Sequence, residues 1–326
     1  MTQIPPDQES FKKPQVSIVS PVYGCRDCLA QLVEKVAKAM ASSDLTWELI
    51  LVDDCGPDKP WELITQMAQD DPRVRGIKLT RNHGQHLAIW AGLEACRGDW
   101  TAVIDCDLQD DPASLPALFE EAKASDAQAL LVDRGDWTDS RFRRLASSLF
   151  YRMIRFLSAL EINNIGNFGI YSRQMVNTLL KFNEQEVFLP IMVVLTGMKT
   201  KKMIINRSDR AAGKSSYSIM RLIVLSLTIV VRFSDRPLKL SAIVGFIFST
   251  LAALVSSFLL FGHVSNYFTV AGWTSVILSV WFLSGLVLIT LDVHGLYIGR
   301  IFAEVKARPR LSVMLTTFGT NADGTP

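Results

Sequence analysis

An almost uncharged stretch near the C-terminus places the strongest limit on the fold of this chain. Between Ser241 and Gly299 the only Lys, Arg, Asp or Glu is Asp292. Two apolar segments fill this stretch, roughly 240–261 and 270–291. Each has about 20 residues, which is enough to span the hydrocarbon core of a bilayer. The pattern therefore predicts a hairpin of two transmembrane helices.

The charges that flank these two segments predict their orientation. The connector 262–269 has no Lys or Arg, whereas basic residues lie on the far side of each segment: Arg232, Arg236, Lys239, Arg300, Lys306, Arg308 and Arg310. The positive-inside rule then places both termini in the cytoplasm and the connector outside. We expect an integral protein of the inner or plasma membrane, or an equivalent membrane, with its large N-terminal domain in the cytoplasm.

Short β-rich apolar runs alternate with helical patterns over the first 132 residues. Strands are predicted at 16–20, 47–52, 74–79, 100–104 and 127–132, and helices at 29–40, 61–69, 87–95 and 115–124. This alternation is typical of an α/β fold, in which a mostly parallel, Rossmann-like sheet is covered by helices on both faces.

The remaining segments complete the predicted organisation. Two basic, aromatic segments, 141–160 and 217–233, suit helices lying in the membrane interface, although an ordinary packed helix with a solvated basic face is the alternative. We predict a disordered tail (1–14), an α/β domain (15–215), a juxtamembrane interfacial helix (216–238), two transmembrane helices (239–299) and a cytoplasmic tail (300–326). The last dozen residues look disordered.

An acidic cluster, DCDLQDDP, begins at Asp105 directly after a predicted strand. In open α/β sheets, ligands bind at the carboxyl ends of the strands. If the strand continues through Asp107, both carboxylates face one site, because alternate residues of a strand point the same way. Paired carboxylates suit Mg²⁺ or Mn²⁺, which can bridge diphosphate oxygens. A solvated acidic turn closed by Pro112 is the alternative.

Three other polar segments follow predicted strands and should reach the same edge: 21–24, 52–57 and 81–84. Together they predict a nucleotide site, in which one carboxylate contacts the base and others hold the metal. Neither a Walker A loop nor a G-x-G-x-x-G fingerprint is present.

The cysteines fit reduced thiols in a cytosolic domain. They are Cys25, Cys28, Cys55, Cys96 and Cys106. The C-x-x-C pair lacks the second pair that zinc would need. Cys106 should point away from the two neighbouring acids, toward the other side of the sheet.

Nine segments together carry a family resemblance: VSIVSPVYG, ELILVDDCGPD, IKLTRNHGQHLAIWAGLEACRGD, VIDCDLQDDP, SSLFYRMI, NFGIYSR, RAAGKSSYSI, FSDRPLKL and YIGRIFAEVKARP. With these segments the chain resembles family 2 glycosyltransferases of the GT-A fold. It is most similar to polyprenyl-phosphate glycosyltransferases, which include dolichol-phosphate mannose synthases and bactoprenol glucosyltransferases. The resemblance runs from Val16 to Pro309.

The resemblance implies roles for individual residues. The base and ribose pocket would be lined by Pro21, Tyr23, Asp53 and Asp54. Asp105 and Asp107 match the D-x-D motif that holds the metal and the donor diphosphate, and Gln109 would lie near the donor sugar. Phosphate contacts would come from Arg134, Arg144, Arg207, Arg210 and Lys214, since guanidinium groups suit phosphate oxygens. A basic patch at the membrane surface is the alternative for these cations.

Asn167 departs from the family pattern. The family usually has G-D-F-R-L where this chain has Gly166-Asn167-Phe168-Gly169-Ile170, and that Asp is often regarded as the catalytic carboxylate. Asn cannot act as a base. A lipid phosphate is nevertheless mostly dianionic near neutral pH and needs no base, whereas a sugar hydroxyl does. A second departure is Ser216, which stands where the loop has Lys.

The resemblance thus implies an inverting, metal-dependent enzyme at the cytoplasmic membrane face. It would transfer a sugar from a UDP- or GDP-linked donor to a polyprenyl phosphate of undecaprenyl or dolichyl type. No nucleic acid is expected as a partner, and a homo-oligomer is compatible with the family. The alternatives are transfer to a hydroxyl of a glycan or glycolipid, and a catalytically silent, membrane-anchored protein that binds nucleotide sugars.

Overall fold

The computed structural model describes residues 13–133, 165–185, 187–205, 236–265, 273–306 and 308–319. These residues belong to two compact units. The first unit contains the described residues up to 205 together with 308–319, and the second contains the described residues from 236 to 306. The two predicted interfacial segments, 141–160 and 217–233, lie outside the described residues.

The first unit is built on a sheet of eight strands: β1 Val16–Val22, β2 Trp47–Asp53, β3 Val74–Leu79, β4 Trp100–Val103, β5 Ala129–Asp133, β6 Ile165–Ser172, β7 Thr200–Ile204 and β8 Val313–Thr316. Its longer helices are α1 Leu29–Ala41, α2 Trp61–Asp70, α3 Gln85–Ala95, α4 Leu115–Ala124, α5 Arg173–Leu179 and α6 Leu189–Leu195. The order of strands across the sheet is β7-β5-β6-β4-β1-β2-β3-β8.

The sheet is mixed, with a parallel centre. β1 pairs in parallel with β2 and with β4, and β2 pairs in parallel with β3. β6 runs antiparallel to both of its neighbours, β4 and β5, and β8 runs antiparallel to β3 at the edge. The predicted mostly parallel sheet is therefore confirmed, and β6 and β8 are its two reversed strands.

Two apolar layers hold the helices against opposite faces of the sheet. One layer packs Ile18 and Leu49 against buried side chains of α1, α2 and α4, including Leu32 and Ile64. The other packs residues such as Val19 against buried side chains of α3, α5 and α6. Val19 also approaches α3 so closely that a Cβ at Gly92 would lie 2.2 Å from it. Helices on both faces, as predicted, follow from strands that present apolar residues on both faces of the sheet, as Ile18 and Val19 of β1 do.

A buried charge cluster lies at the amino ends of the central strands β1, β2 and β3. The Glu48 carboxylate, on β2, accepts hydrogen bonds from Ser17 Oγ on β1 (2.6 Å) and from the Arg75 guanidinium on β3 (2.9 Å). The backbone N–H and Nε of Arg97 also donate to it, at 2.7 and 2.9 Å. Burial raises the pKa of Glu48, but Arg75 and these hydrogen bonds outweigh that effect and leave it below its usual value. A buried carboxylate is tolerated when it is paired in this way.

Three expectations from the sequence need correction. Pro14, assigned to the disordered tail, is buried beside β1. The strand predicted to reach Ile104 ends at Val103, because the chain then enters the turn that carries the acidic cluster. Within the terminal dozen residues, Leu315 and Thr316 pair with β3, since the exposed edge of that strand offers free backbone groups.

Two long apolar helices make up the described part of the second unit, α7 Arg236–Val264 and α8 Trp273–Val305. Phe248 of α7 and Phe282 of α8 contact each other, with ring centroids 6.0 Å apart. Many large apolar side chains of these helices are exposed, among them Trp281 at 78%. In the part of the chain that is described, the stretch Ser279–Val305 is the one helix long and apolar enough to cross a membrane, and Leu238–Ala252 is a shorter apolar stretch.

Candidate functional site

The candidate site lies at the carboxyl edge of the parallel strands β1, β2 and β4. Val22 is in register with Asp53, and the backbone N–H of Asp54 donates to the Val22 carbonyl at 3.0 Å. On the other side of β1, the N–H of Ile104 donates to the Val19 carbonyl. The segments that follow these strands therefore leave the sheet side by side, as the sequence predicted.

The acidic cluster forms a turn rather than a continuation of β4. Asp105 is partly buried, and its Oδ1 accepts a hydrogen bond from Nε2 of Gln85 at 2.6 Å. Asp107 is exposed, and its Oδ1 accepts from the backbone N–H of Gln109 at 3.1 Å. Leu108 has a φ of 59°, which turns the chain back toward the next helix. The predicted pair is present, but a turn and not strand alternation presents it.

The donor atoms of this turn fit a hard divalent cation. Asp105 and Asp107 provide carboxylate oxygens, the ligand type that Mg²⁺ and Mn²⁺ prefer. Among the described residues no group of three or more His, Cys, Asp or Glu side chains could enclose a metal. The described residues thus offer two carboxylates, and water and a bound diphosphate are further ligands that Mg²⁺ commonly takes.

Three of the four residues predicted to line a nucleotide pocket occupy neighbouring positions. Tyr23 follows β1 and is 54% exposed, so its ring is available for stacking. Asp53 ends β2 and is buried, and its Oδ1 accepts from the Gly56 backbone N–H at 3.0 Å. Burial raises the pKa of Asp53, partly offset by this hydrogen bond. Pro21 lies within β1, beyond its last pair with β4, where a missing N–H costs no hydrogen bond to that strand.

Asp54, the fourth of these residues, is bonded to the loop between β3 and α3. It is 3% exposed, and its two oxygens accept from the backbone N–H groups of His83 (2.7 Å) and Gly84 (2.8 Å). Burial raises the pKa of Asp54, and the two amides offset part of the rise. In this structure, therefore, Asp54 holds the loop between β3 and α3, and its contact with a nucleotide stays a prediction.

Asn167 lies on β6, next to the acidic turn. The antiparallel register pairs Val103 of β4 with Gly169 of β6. Asn167 lies two residues from this pair along β6, and Asp105 lies two residues from it in the turn after β4. Asn167 is partly buried. The structure thus brings the residue that departs from the family pattern to the same edge as the candidate metal ligands.

Cys25 and Cys106 form a disulfide, with Cα atoms 6.4 Å apart. The expectation of five reduced thiols is therefore wrong for this pair, and Cys28, Cys55 and Cys96 are free. The bond forms because β1 and β4 are neighbours and the loops after them leave the same edge. Cys106 is buried in the core layer that contains Ile104, away from the partly exposed Asp105, as predicted.

The predicted phosphate-binding cations cannot be placed. Arg134, Arg144, Arg207, Arg210 and Lys214 all lie outside the described residues, as does Ser216. Their roles stay predictions from the family resemblance. Gln109, expected near a donor sugar, is described and is partly buried in the acidic turn.

Sequence reasoning missed two residues near the site, both in the first turn of α3. Gln85 donates to Asp105, and His86 packs against Phe188 with ring centroids 4.4 Å apart. Both lie in the matching segment RNHGQHLAIWAGLEACRGD, which was the available signal. The contacts themselves depend on how the loop folds, and spacing along the chain does not specify that.

Comparison with known proteins identifies relatives over nearly the whole chain. The family model described as Glycosyl transferase family 2 matches residues 17–180. An undecaprenyl-phosphate 4-deoxy-4-formamido-L-arabinose transferase of Pseudomonas fluorescens is 34% identical over 305 residues, covering 91% of this chain and 88% of the relative. The uncharacterized glycosyltransferase YkcC of Bacillus subtilis is 30% identical over 306 residues, or 94% of each chain.

Among solved structures, a mannosyltransferase from Pyrobaculum calidifontis, PcManGT, in complex with GDP-Man and Mn²⁺, gives a TM-score of 0.47 at 12% identity. The match covers 91% of this chain and 89% of that one.

His86, which is partly buried and packs against Phe188, predicts a loss of stability at mildly acidic pH. Burial lowers the pKa of His86 to about 4, below the ~6.5 of an exposed histidine. Above pH 6.5 both the folded and unfolded states hold it neutral. As pH falls from 6.5 toward 4, only the unfolded state takes up the proton, so folding loses up to about 3 kcal/mol. We expect His86→Phe, which keeps a ring against Phe188, to lose less stability than the parent between pH 7.5 and 5.

The measurement is denaturant unfolding of the detergent-solubilised protein, followed by near-UV circular dichroism at both pH values. Other groups that titrate in this range contribute equally to the parent and the variant, so the difference between the two proteins isolates His86. An equal loss of stability in both would contradict the prediction.

Proposed function

Because this chain belongs to glycosyl transferase family 2, a family of glycosyltransferases, we propose that it transfers a sugar from a nucleotide diphosphate sugar to a polyprenyl phosphate. The observation that carries the choice of acceptor is the extent of the similarity to undecaprenyl-phosphate sugar transferases. The family model stops at residue 180, but these relatives match 91% of the chain or more. Fewer residues of the chain are left unmatched than α7 and α8 together contain, so the similarity extends into these apolar helices.

The proposed reaction is a single displacement. A phosphate oxygen of the lipid attacks the anomeric carbon of the donor sugar. A new C–O bond forms as the bond to the nucleotide diphosphate breaks, and the diphosphate leaves with the electron pair. Attack in line with the leaving group inverts the anomeric centre. Because a phosphate monoester has a second pKa of about 6, its oxygen is already a nucleophile near pH 7, and holding the two reactants in line supplies much of the acceleration.

Asp105 and Asp107 are the residues that would hold a Mg²⁺ or Mn²⁺ ion in this mechanism. Such an ion supplies Lewis-acid stabilisation of the negative charge that develops on the leaving diphosphate. Gln109, in the same turn, would donate to the donor sugar. The two carboxylates would hold the ion and would not transfer a proton.

Residues at the β1 and β2 ends would bind the nucleotide. Tyr23 would stack on the base, and Asp53 would accept from a uracil or guanine N–H or from the ribose. Asp54 would support this pocket by holding the loop between β3 and α3. The cationic side chains Arg134, Arg144, Arg207, Arg210 and Lys214 are proposed to neutralise the donor and lipid phosphates, because guanidinium groups form paired hydrogen bonds with phosphate oxygens.

The apolar helices suit an enzyme whose acceptor is a membrane lipid. Exposed side chains such as Phe246 and Trp281 would be costly in water and are favourable in a bilayer. We propose that both α7 and α8 span the membrane, that the first unit is cytoplasmic, and that the connector between the helices lies outside. The basic residues at the outer ends of the two helices support this orientation.

The metal requirement is tested with Asp105→Asn and Asp107→Asn. Each change removes a charged ligand from an exposed or partly exposed turn, so we expect turnover to fall at least 100-fold, about 2.7 kcal/mol of barrier, while the fold survives. The measurement is transfer of radiolabelled sugar into lipid extracts, with and without EDTA, and thermal melts serve as the control for folding. Full activity in EDTA would rule out the metal-dependent mechanism.

The acceptor class is tested at Asn167. With a phosphate acceptor no base is needed, so we expect Asn167→Asp to change the transfer rate to polyprenyl phosphate by less than about tenfold, or 1.4 kcal/mol. With a hydroxyl acceptor the same change would restore a base and raise the rate of transfer to that acceptor by ~100-fold or more. Asn167→Ala is the matched control, since it removes the amide without adding charge.

The topology is tested with a single cysteine at Ser265, placed in a cysteine-free background. We expect a membrane-impermeant maleimide to label this position in intact cells, because the connector lies outside the cytoplasm. A second single cysteine at Ser43, on the first unit, should react only after the cells are opened. Labelling of both positions only in opened cells would overturn the two-span arrangement.

A further inference from the structure

We propose that Gln85 is a positioning residue that holds Asp105 in the orientation required for metal binding. The Gln85 amide donates to Asp105 Oδ1 at 2.6 Å, across 20 residues of sequence. Gln85 is the first residue of α3, whereas Asp105 lies in the turn after β4. The hydrogen bond therefore joins two segments whose positions are set by different strands.

Gln85 is itself held by the loop that precedes it. Both oxygens of the buried Asp54 carboxylate accept backbone N–H groups of that loop, from His83 and Gly84. Gly84 has a φ of 93°, a conformation that favours glycine, and its carbonyl accepts the first hydrogen bonds of α3 from Leu87 and Ala88. The start of α3, and with it Gln85, is thus fixed relative to the end of β2.

The chemistry of the donor matters as much as its position. An amide N–H is neutral, so it orients the carboxylate without cancelling the charge that a cation needs. A Lys or Arg in the same place would compete with the metal for Asp105. Gln85 is exposed and Asp105 is partly buried, so this hydrogen bond competes with water and favours one carboxylate orientation before the metal arrives, as supporting hydrogen bonds do for metal ligands generally.

The inference rests on the metal role given to Asp105 in the proposed function, and its test measures metal binding separately from transfer. The full-length protein in detergent is titrated with Mn²⁺ in the presence of UDP, and in parallel with GDP, and free Mn²⁺ is measured by electron paramagnetic resonance. Gln85→Leu removes the N–H at similar size. We expect Mn²⁺ to bind about tenfold more weakly, equivalent to 1.4 kcal/mol, with an unchanged melting temperature.

Two comparisons separate positioning from a general structural effect. Gln66→Leu makes the same chemical change at an exposed position of α2 and should leave Mn²⁺ affinity within twofold of the parent. In an Asp105→Asn background, Gln85→Leu should have no further effect, because the two residues act through one hydrogen bond. In transfer assays, Gln85→Leu should raise the Mn²⁺ concentration needed for half-maximal rate and recover to within threefold of the parent rate at saturating Mn²⁺.

The outcomes are distinct. Unchanged Mn²⁺ affinity in Gln85→Leu, or effects of the two substitutions that simply add, would overturn the positioning role. A parent protein that binds no Mn²⁺ with either nucleotide would overturn it as well. Weaker Mn²⁺ binding in Gln85→Leu, together with no transfer to polyprenyl phosphate by the parent, would support the positioning role and refute the proposed acceptor.

Discussion

The arrangement of the candidate site depends on one buried carboxylate, that of Asp54. A buried carboxylate is costly unless its oxygens are satisfied, and here both accept backbone N–H groups of the loop before α3. If the loop moved, the Asp54 carboxylate would lose these hydrogen bonds or become exposed to solvent. Since α3 starts directly after the loop, the position of Gln85 and its bond to Asp105 follow. By holding this loop, Asp54 thus determines the geometry of Gln85 and Asp105.

Carboxylates at the two edges of the sheet have different kinds of hydrogen-bond partner. At the amino edge, Glu48 is paired with Arg75 and Arg97, so its charge is neutralised within the fold. At the carboxyl edge, Asp54 accepts from backbone amides, and the donor from Gln85 to Asp105 is also neutral. Neutral donors order a carboxylate but leave its charge in place. The first arrangement neutralises a buried charge, whereas the second orders carboxylates through hydrogen bonds from neutral groups.

The sequence predicted those features that local chemistry specifies. Apolar β-branched runs such as 16–20 and 47–52 could be assigned to a sheet buried on both faces, and the acids after them to its ligand-binding edge. Features that depend on contacts between distant segments were not predictable. The Cys25–Cys106 bond joins residues 81 apart, whereas the sequence alone predicts reduced thiols at both positions. The same holds for the reversed strand β6 and for the pairing of residues 313–316 with β3 as β8. Both depend on which strand edge is available.

The strand β8 has a consequence for the order in which the protein is made. It pairs with β3, and the Gly76 N–H bonds to the Thr317 hydroxyl across 241 residues of sequence. The residues that complete the sheet are therefore synthesised after both apolar helices. Until they leave the ribosome, the edge of β3 stays open, and an open edge is a template for pairing with other chains. Completion of the first unit thus waits until both apolar helices have been synthesised, so a chain truncated before β8 would carry an unfinished, aggregation-prone sheet.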